Sequence, residues 1–322
     1  MKPIMLVLVA TALLTAASAS GRQSKQAEPV SFVTLGTNSG PIPDPQRGEP
    51  SNLLIVDGQR ILVDAGDGVA DRLGKIGVDL GAVETVLISH LHFDHTGGLF
   101  AFLGQRYQIM SRKAVTIYGP PGTRRTVEGL LAGMAPITEP GTNIRERSPL
   151  TPTEAIKVVE LDDRQRITLG KVVVTVARNS HYDNAVGGGH NRDTASYSYR
   201  FDMPGRSIVY TGDTGPSARV EELAKDADLL VAEVMDPEEA VASLRQRRPD
   251  LPEAALAQVE RHHRQQHLSP REVGLMAQRA GVRALVLTHI GMSDARLKPA
   301  LREIRAVYRG PVTFARDQQT FR

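Results

Sequence analysis

Within six residues, His90-Leu91-His92-Phe93-Asp94-His95, the chain gathers three imidazoles and a carboxylate. Positions i and i+2 of an extended segment project to the same side, so His90 and His92 can address one cation, while Asp94 and His95 address a second point close by. Imidazole and carboxylate suit Zn²⁺, with Mn or Fe as substitutes, and the absence of cysteine removes any thiolate that would select softer metals. A polar surface loop is the plain alternative, but this density of ligand-type residues points to a metal site with room for two ions. Such a site needs more donors than one loop supplies. Three candidates each follow an apolar run: His181 after Val172 to Ala177, Asp213 after Ser207 to Tyr210, and His289 after Ala284 to Leu287. Each alone reads as a hydrogen-bonded loop residue; beside the cluster they become candidate ligands.

The elements that position these residues are legible as short apolar runs. Val30 to Leu35 reads as a strand, followed by a Gly- and Pro-rich loop over 36–50. Asn52 to Val56 and Arg60 to Val63 form a hairpin across the turn pair Asp57-Gly58. Val69 to Ile76 suits a helix, and Val83 to Ser89 is a short buried-type strand that delivers the chain to His90. Further strands are expected at Ala114 to Tyr118, Ile156 to Leu161, Val172 to Ala177, Ala195 to Phe201, Ser207 to Tyr210, Leu229 to Glu233 and Ala284 to Thr288, with helices between several of them. Residues 237–266 are charged and helical in pattern, broken at Pro249 and Pro252, and read as an appended lid or arm. The mixture implies a layered α/β fold whose strand order the sequence leaves open.

Composition narrows the function classes. With 322 residues, 41% of them hydrophobic, the chain can bury a core, so disordered and fibrous readings fall away. A formal charge of +3 is small for this length and does not argue for nucleic-acid binding. No tryptophan and 4% aromatics leave base-stacking platforms poorly supplied. Without cysteine there is no disulfide and no cysteine nucleophile. At the N-terminus, Lys2, the apolar run Ile4 to Leu14 and the small residues Ala17-Ser18-Ala19 form a secretory signal pattern, with cleavage expected after Ala19 and a polar leader over 20–29. The expected organisation is therefore a signal peptide at 1–19, the leader, and one catalytic domain over 30–322. The protein would be secreted or periplasmic, with no membrane attachment beyond the signal peptide.

The His cluster, followed by His181, Asp213 and His289 in that order, resembles the metallo-β-lactamase superfamily and its H-x-H-x-D-H signature. Within it the chain looks most like the ribonuclease Z and arylsulfatase-like branch, on the strings Leu35-Gly36-Thr37, Val63-Asp64-Ala65-Gly66-Asp67-Gly68, Tyr118-Gly119-Pro120-Pro121-Gly122, Tyr210-Thr211-Gly212-Asp213-Thr214-Gly215, and His267 followed by Val282 to His289. The resemblance spans residue 30 to the C-terminus. It implies an αββα sandwich, with His90, His92 and His181 on one zinc, Asp94, His95 and His289 on the other, and Asp213 bridging them. A hydroxide between the two ions would be the nucleophile, since metal-bound water has its pKa lowered towards about 7. Asp64 matches a position that supports the His loop. Glu233 would orient His267, which would protonate the leaving group; with Asp94 these complete the expected catalytic set.

The resulting expectation is a dinuclear zinc hydrolase that cleaves a small-molecule phosphodiester or sulfate ester. Transfer RNA 3′ processing, lactone hydrolysis and β-lactam hydrolysis are alternatives on the same site, because pocket walls rather than metal ligands choose among them. The absent cysteine weighs against the common β-lactamases, and the signal pattern and the lack of a long gripping arm weigh against tRNA. A non-catalytic periplasmic metal-binding protein is the rival of another class. A homodimer is left open. The basic stretches Arg112-Lys113, Arg124-Arg125 and Arg245 to Arg248, and the pair His262-His263, read as solvated faces, while Gly187-Gly188-Gly189 offers a loop that could gate the site.

Overall fold

Strands of this chain are short, apolar and closely spaced, and they pair into two sheets. The computed structural model describes residues 30–40, 42–111, 113–138, 151–183 and 194–322. The expected signal segment and leader at 1–29 and the Gly187 to Gly189 loop lie outside these residues. In chain order the strands are β1 Ser31–Gly36, β2 Ser51–Val56, β3 Gln59–Ala65, β4 Val83–Leu87, β5 Val115–Gly119, β6 Ile156–Glu160, β7 Arg166–Leu169, β8 Val172–Arg178, β9 Tyr197–Met203, β10 Arg206–Tyr210, β11 Leu229–Met235, β12 Leu285–Gly291, β13 Val312–Phe314 and β14 Gln319–Phe321. One sheet runs β14-β1-β2-β3-β4-β5-β6 and the other β13-β12-β11-β10-β9-β8-β7.

The β2–β3 hairpin closes as the Asp57-Gly58 pair requires. Both residues take positive φ, 49° and 77°, so the turn's twist matches that of the strands, and Val56 pairs with Gln59. Beyond β3 the partners become parallel, β3 with β4, β4 with β5 and β5 with β6, through helical crossovers such as Val69–Lys75. The second sheet does the same from β10 to β13.

The two sheets face each other across Phe32, Leu54, Ile61, Val63, Val174, Tyr199, Phe201 and Val231, all buried. Helices cover both outer faces: Val69, Leu73, Phe102 and Val127 pack on the first sheet, and Val220, Val273, Met276 and Ile304 on the second. This is the expected αββα sandwich. Central strands are therefore buried on both faces, which is why β11 reads as an unbroken apolar run. The strands that sequence reading passed over, β7, β13 and β14, are short, lie at or beside sheet edges and are partly exposed, so their apolar signal is weak.

The 237–266 region forms two helices, Pro237–Arg247 and Glu253–Gln266, that pack on each other. Asp236 caps the first through the backbone N–H groups of Glu238 and Glu239, and Pro237 stands where its missing N–H costs nothing. The second delivers His267 to the site as its terminal residue. No helix among the described residues is long and apolar enough to cross a membrane.

Candidate metal centre

Strands β3, β4, β8, β10, β11 and β12 point their C-terminal ends to one edge of the sandwich, and the candidate residues collect there. His90 follows β4; His92 precedes the helical turn Phe93–Thr96, which carries Asp94 and His95. His181 follows β8 and Asp213 follows β10. Two donor groups result, His90–His92–His181–Asp213 and Asp94–His95–Asp213–His289, with the donor atoms of each group within 4.8 Å of one another and Asp213 common to both. The seven side chains expected as metal ligands thus meet at one place.

Two positions differ from expectation. The sequence suggested that His289 follows its strand and that Glu233 is the last residue of its own, but both lie inside strands, which run on to Gly291 and Met235. The β11–β12 register shifts between Ala232 and Val234, and His289 takes a left-handed φ of 45°. That irregularity turns the imidazole out of the ladder and into the site without ending the strand.

Asp64 is the buried hub behind the His loop. Its carboxylate accepts from Ser89 N at 2.7 Å, Ser89 Oγ at 2.8 Å, Tyr210 Oη at 2.7 Å and His95 Nδ1 at 2.8 Å. Burial and the nearby carboxylate push the Tyr210 phenol well up, so it remains a donor. Having given its proton to Asp64, Ser89 Oγ accepts from His90 Nδ1 at 3.1 Å. His181 Nδ1 likewise donates to the Gln266 carbonyl at 3.0 Å. In each case the outward nitrogen is fixed as N–H, so Nε2 of the neutral His90 and His181 presents a lone pair inward, and Nε2 of His95 is the nitrogen whose proton a cation would displace. Gly212 allows the approach: at φ 58°, an added Cβ would lie 2.9 Å from Ser89 Cβ.

The inward atoms have too few partners. His90 Nε2, His95 Nε2, His289 Nε2 and Asp213 Oδ1 are buried without a hydrogen bond among the described residues. Each such atom costs about 1–3 kcal/mol unless something else satisfies it. His181 Nε2 and His92 Nδ1 stand 3.1 Å apart, close to the roughly 3.3 Å that two nitrogens adopt on one tetrahedral ion. Electrostatics agrees. Burial pulls His90, His92 and His181 down, keeping them neutral. Burial also opposes charge on His95 and His289, but Asp213 and Asp94 outweigh it, raising His95 well up and His289 to about 9. Asp94 is held down at about 2 against its burial by those same two rings. Divalent cations can take over the positive charge that these imidazoliums otherwise supply, so the donor set fits a metal.

Beside the donors stands the pair Glu233 and His267. Glu233 Oε1 accepts from Thr214 N at 2.6 Å, and Oε2 lies 2.8 Å from His267 Nδ1, sharing a proton with it. Burial, then Asp213, pushes the Glu233 carboxyl well up, and burial pulls His267 down to about 3. Both shifts have one meaning: the buried pair avoids net charge, so at neutral pH it retains one transferable proton. A surface ion pair is excluded, since both side chains are buried.

Several contributors were not singled out in the sequence. Tyr210 and Ser89 bind Asp64, and Tyr182 packs its ring on His90 and His92. Only adjacency to a ligand, in Ser89-His90 and His181-Tyr182, could have flagged two of them. Phe93, between the ligand candidates His92 and Asp94 in the chain, is 77% exposed. The pair His262-His263 is a correction: neither lies on a solvated face. Both are partly buried, with their rings 5.4 and 5.6 Å from His267. Of the basic stretches, Arg112 lies outside the described residues, while Arg245 pairs with Glu253, Arg248 with Asp250, Lys113 with Glu84, and Arg124 donates to the Val158 carbonyl.

The family model described as "Beta-lactamase superfamily domain" matches residues 59–290. Ribonuclease Z of Mycobacterium avium (strain 104) is 33% identical over 263 residues, which is 81% of this chain and 85% of that one. Among solved structures, the metallo-beta-lactamase fold protein YhfI from Bacillus subtilis superposes with a TM-score of 0.66 at 20% identity, covering 91% of this chain and 99% of that one. Human tRNase Z, short form, superposes with a TM-score of 0.60 at 20% identity, covering 91% and 98%.

Proposed function

Given that this chain belongs to the metallo-β-lactamase superfamily, in its ribonuclease Z-like branch, and is a metal-dependent hydrolase, we propose that it hydrolyses phosphodiester bonds in RNA, at the 3′ side of a folded transfer RNA-like substrate. The observation that carries this reading is the Glu233–His267 pair set against two donor groups that share Asp213. A phosphodiester in RNA expels an alkoxide, a poor leaving group that needs a proton, and the buried pair holds one. A sulfate monoester of a phenol, whose phenolate leaves unaided, needs no such donor. Composition argued against nucleic acid on charge and stacking grounds, but those are whole-chain averages. The ribonuclease Z relatives and the exposed Phe93 ring beside the donors outweigh them.

In this mechanism His90, His92, His181 and Asp213 would hold one Zn²⁺, and Asp94, His95, Asp213 and His289 would hold a second. When bound, the ions supply Lewis acidity to the phosphoryl oxygens and acidify an attacking water. Asp64 fixes the His95 tautomer and, through Ser89, that of His90. Glu233 anchors His267 through Nδ1, leaving Nε2 as the point from which a proton passes to the departing oxygen. Thr214 N holds the far oxygen of Glu233, so the pair keeps its orientation as the proton moves.

A second reading rests on Met1 to Ala19. We carry secretion as a proposal from that segment, and outside the cytoplasm the same machinery would act on a smaller phosphodiester. One experiment separates the readings. The purified protein, with its metal content counted, is given a precursor tRNA bearing a 3′ trailer, bis(p-nitrophenyl) phosphate, p-nitrophenyl sulfate, a lactone and nitrocefin. Trailer cleavage at one position, with little turnover of sulfate, lactone or nitrocefin, is the expected result. Diester turnover with no RNA cleavage would refute the RNA assignment and favour the small substrate.

A further inference from the structure

The arm helix Glu253–Gln266 brings a second group of imidazoles to the edge of the centre. We propose that His262, His263 and His267 form a third divalent-cation site, separate from the two donor groups described above, and that Zn²⁺ bound there inhibits the enzyme by occupying His267. One ring nitrogen from each of the three lies within 4.8 Å of the others. His263 Nδ1 is buried with no hydrogen-bond partner among the described residues. His267 Nδ1 is committed to Glu233, so Nε2 is the nitrogen that would face such an ion.

The geometry is near that of a three-histidine site. Nitrogens on a tetrahedral zinc stand about 3.3 Å apart, so rotations of His262 and His263 about their side-chain bonds have a gap of at most about 1.5 Å to close. Both sit in the last turns of a helix whose end approaches the site closely: an added Cβ on Gly215 would meet the Gln265 carbonyl at 2.0 Å. Burial, then the neighbouring imidazoles, keeps His263 neutral by pulling it down to about 3, which is the ligating form. Three protein nitrogens leave a fourth position for water or a substrate oxygen, as in open zinc sites.

The inhibitory part rests on His267 acting as the proton donor; the binding part does not. The test therefore reads binding and turnover separately. Metal-loaded full-length protein is dialysed against buffered free Zn²⁺ from nanomolar to high micromolar, with bound zinc counted by mass spectrometry. His262→Ala and His263→Gln variants, checked for native folding by their melting profiles, are treated identically. The expected result is one further equivalent of zinc in the parent chain, absent from both variants, with RNA turnover falling at least tenfold as that ion binds in the parent and holding steady in the variants. Co²⁺ in place of Zn²⁺ should add a visible absorption band for the third ion that His263→Gln lacks. Equal zinc counts in parent and variants would overturn the site. A third ion lost in the variants but without effect on parental turnover would uphold the site and overturn its inhibitory role. Failure of the His267 reading itself would instead show in metal-replete His267→Ala, as equal loss on activated and unactivated esters.

Discussion

Replacing Glu233 with glutamine changes almost no volume yet alters the proton arrangement on which the proposed chemistry depends. In the parent chain the carboxylate accepts from Thr214 N through Oε1 and binds His267 Nδ1 through Oε2 at 2.8 Å. Glutamine can keep the first contact by turning its oxygen to Thr214, which leaves its amide N–H₂ facing His267. The imidazole must then accept at Nδ1 and carry its proton on Nε2, with no acid partner to stabilise the imidazolium. A hydrogen bond to a charged group contributes about 1.5–3 kcal/mol, so losing it in the transition state should slow the step by about 10- to 160-fold. The loss should fall on kcat for the RNA substrate. Bis(p-nitrophenyl) phosphate, whose leaving phenolate needs no proton, should lose less than about threefold. Metal content should match the parent, because Glu233 belongs to neither proposed donor group. Comparing the two substrates at saturation, with metal counted in the same samples, checks this. Equal slowing of both would refute the reasoning and leave Glu233 as a packing residue.

Other perturbations test neighbouring parts of the same argument. His95→Ala removes a donor to the second group while Asp64 retains Ser89 and Tyr210; bound metal should drop by about one equivalent by elemental analysis, with turnover nearly abolished. Tyr210→Phe deletes one buried bond to the Asp64 carboxylate, a loss of about 1.5–3 kcal/mol. At about 1.5 °C per kcal/mol for a chain of 322 residues, thermal melting should fall by about 2–5 °C. Gly215→Ala would set a Cβ 2.0 Å from the Gln265 carbonyl, so the arm must shift; kcat on RNA should fall while metal content holds. Parental kcat in that variant would show that the close approach does not position His267.

Much of the centre was legible because metal chemistry constrains residue type. The six-residue cluster at His90 to His95 is local, and with no cysteine in the chain only His, Asp and Glu could complete a site. His181 and Asp213 stood out because each follows an apolar run, and the fold turns such runs into parallel-running strand ends. What stayed hidden depended on partners distant in sequence. Tyr210 is 146 residues from Asp64, and nothing in the string Ile208-Val209-Tyr210 tells that its hydroxyl points there rather than to solvent. The His262-His263 pair looked like a charged helix face because helical periodicity reports a face and not what that face meets.

The sequence by itself determined the chemistry: a cluster of hard and borderline donors, a core of aliphatic strands, and the order in which the donors arrive. These follow from residue type and local spacing, which need no knowledge of neighbours. Only the tertiary structure decided that Asp64 gathers Ser89, Tyr210 and His95 behind the donors, that a register shift beside Glu233 turns His289 inward, and that the arm brings His262 and His263 against His267 rather than into solvent. Those outcomes rest on pairing between strands and on two sheets closing over one edge. The energies that set them are summed over contacts scattered along the whole chain, so no local segment carries the information.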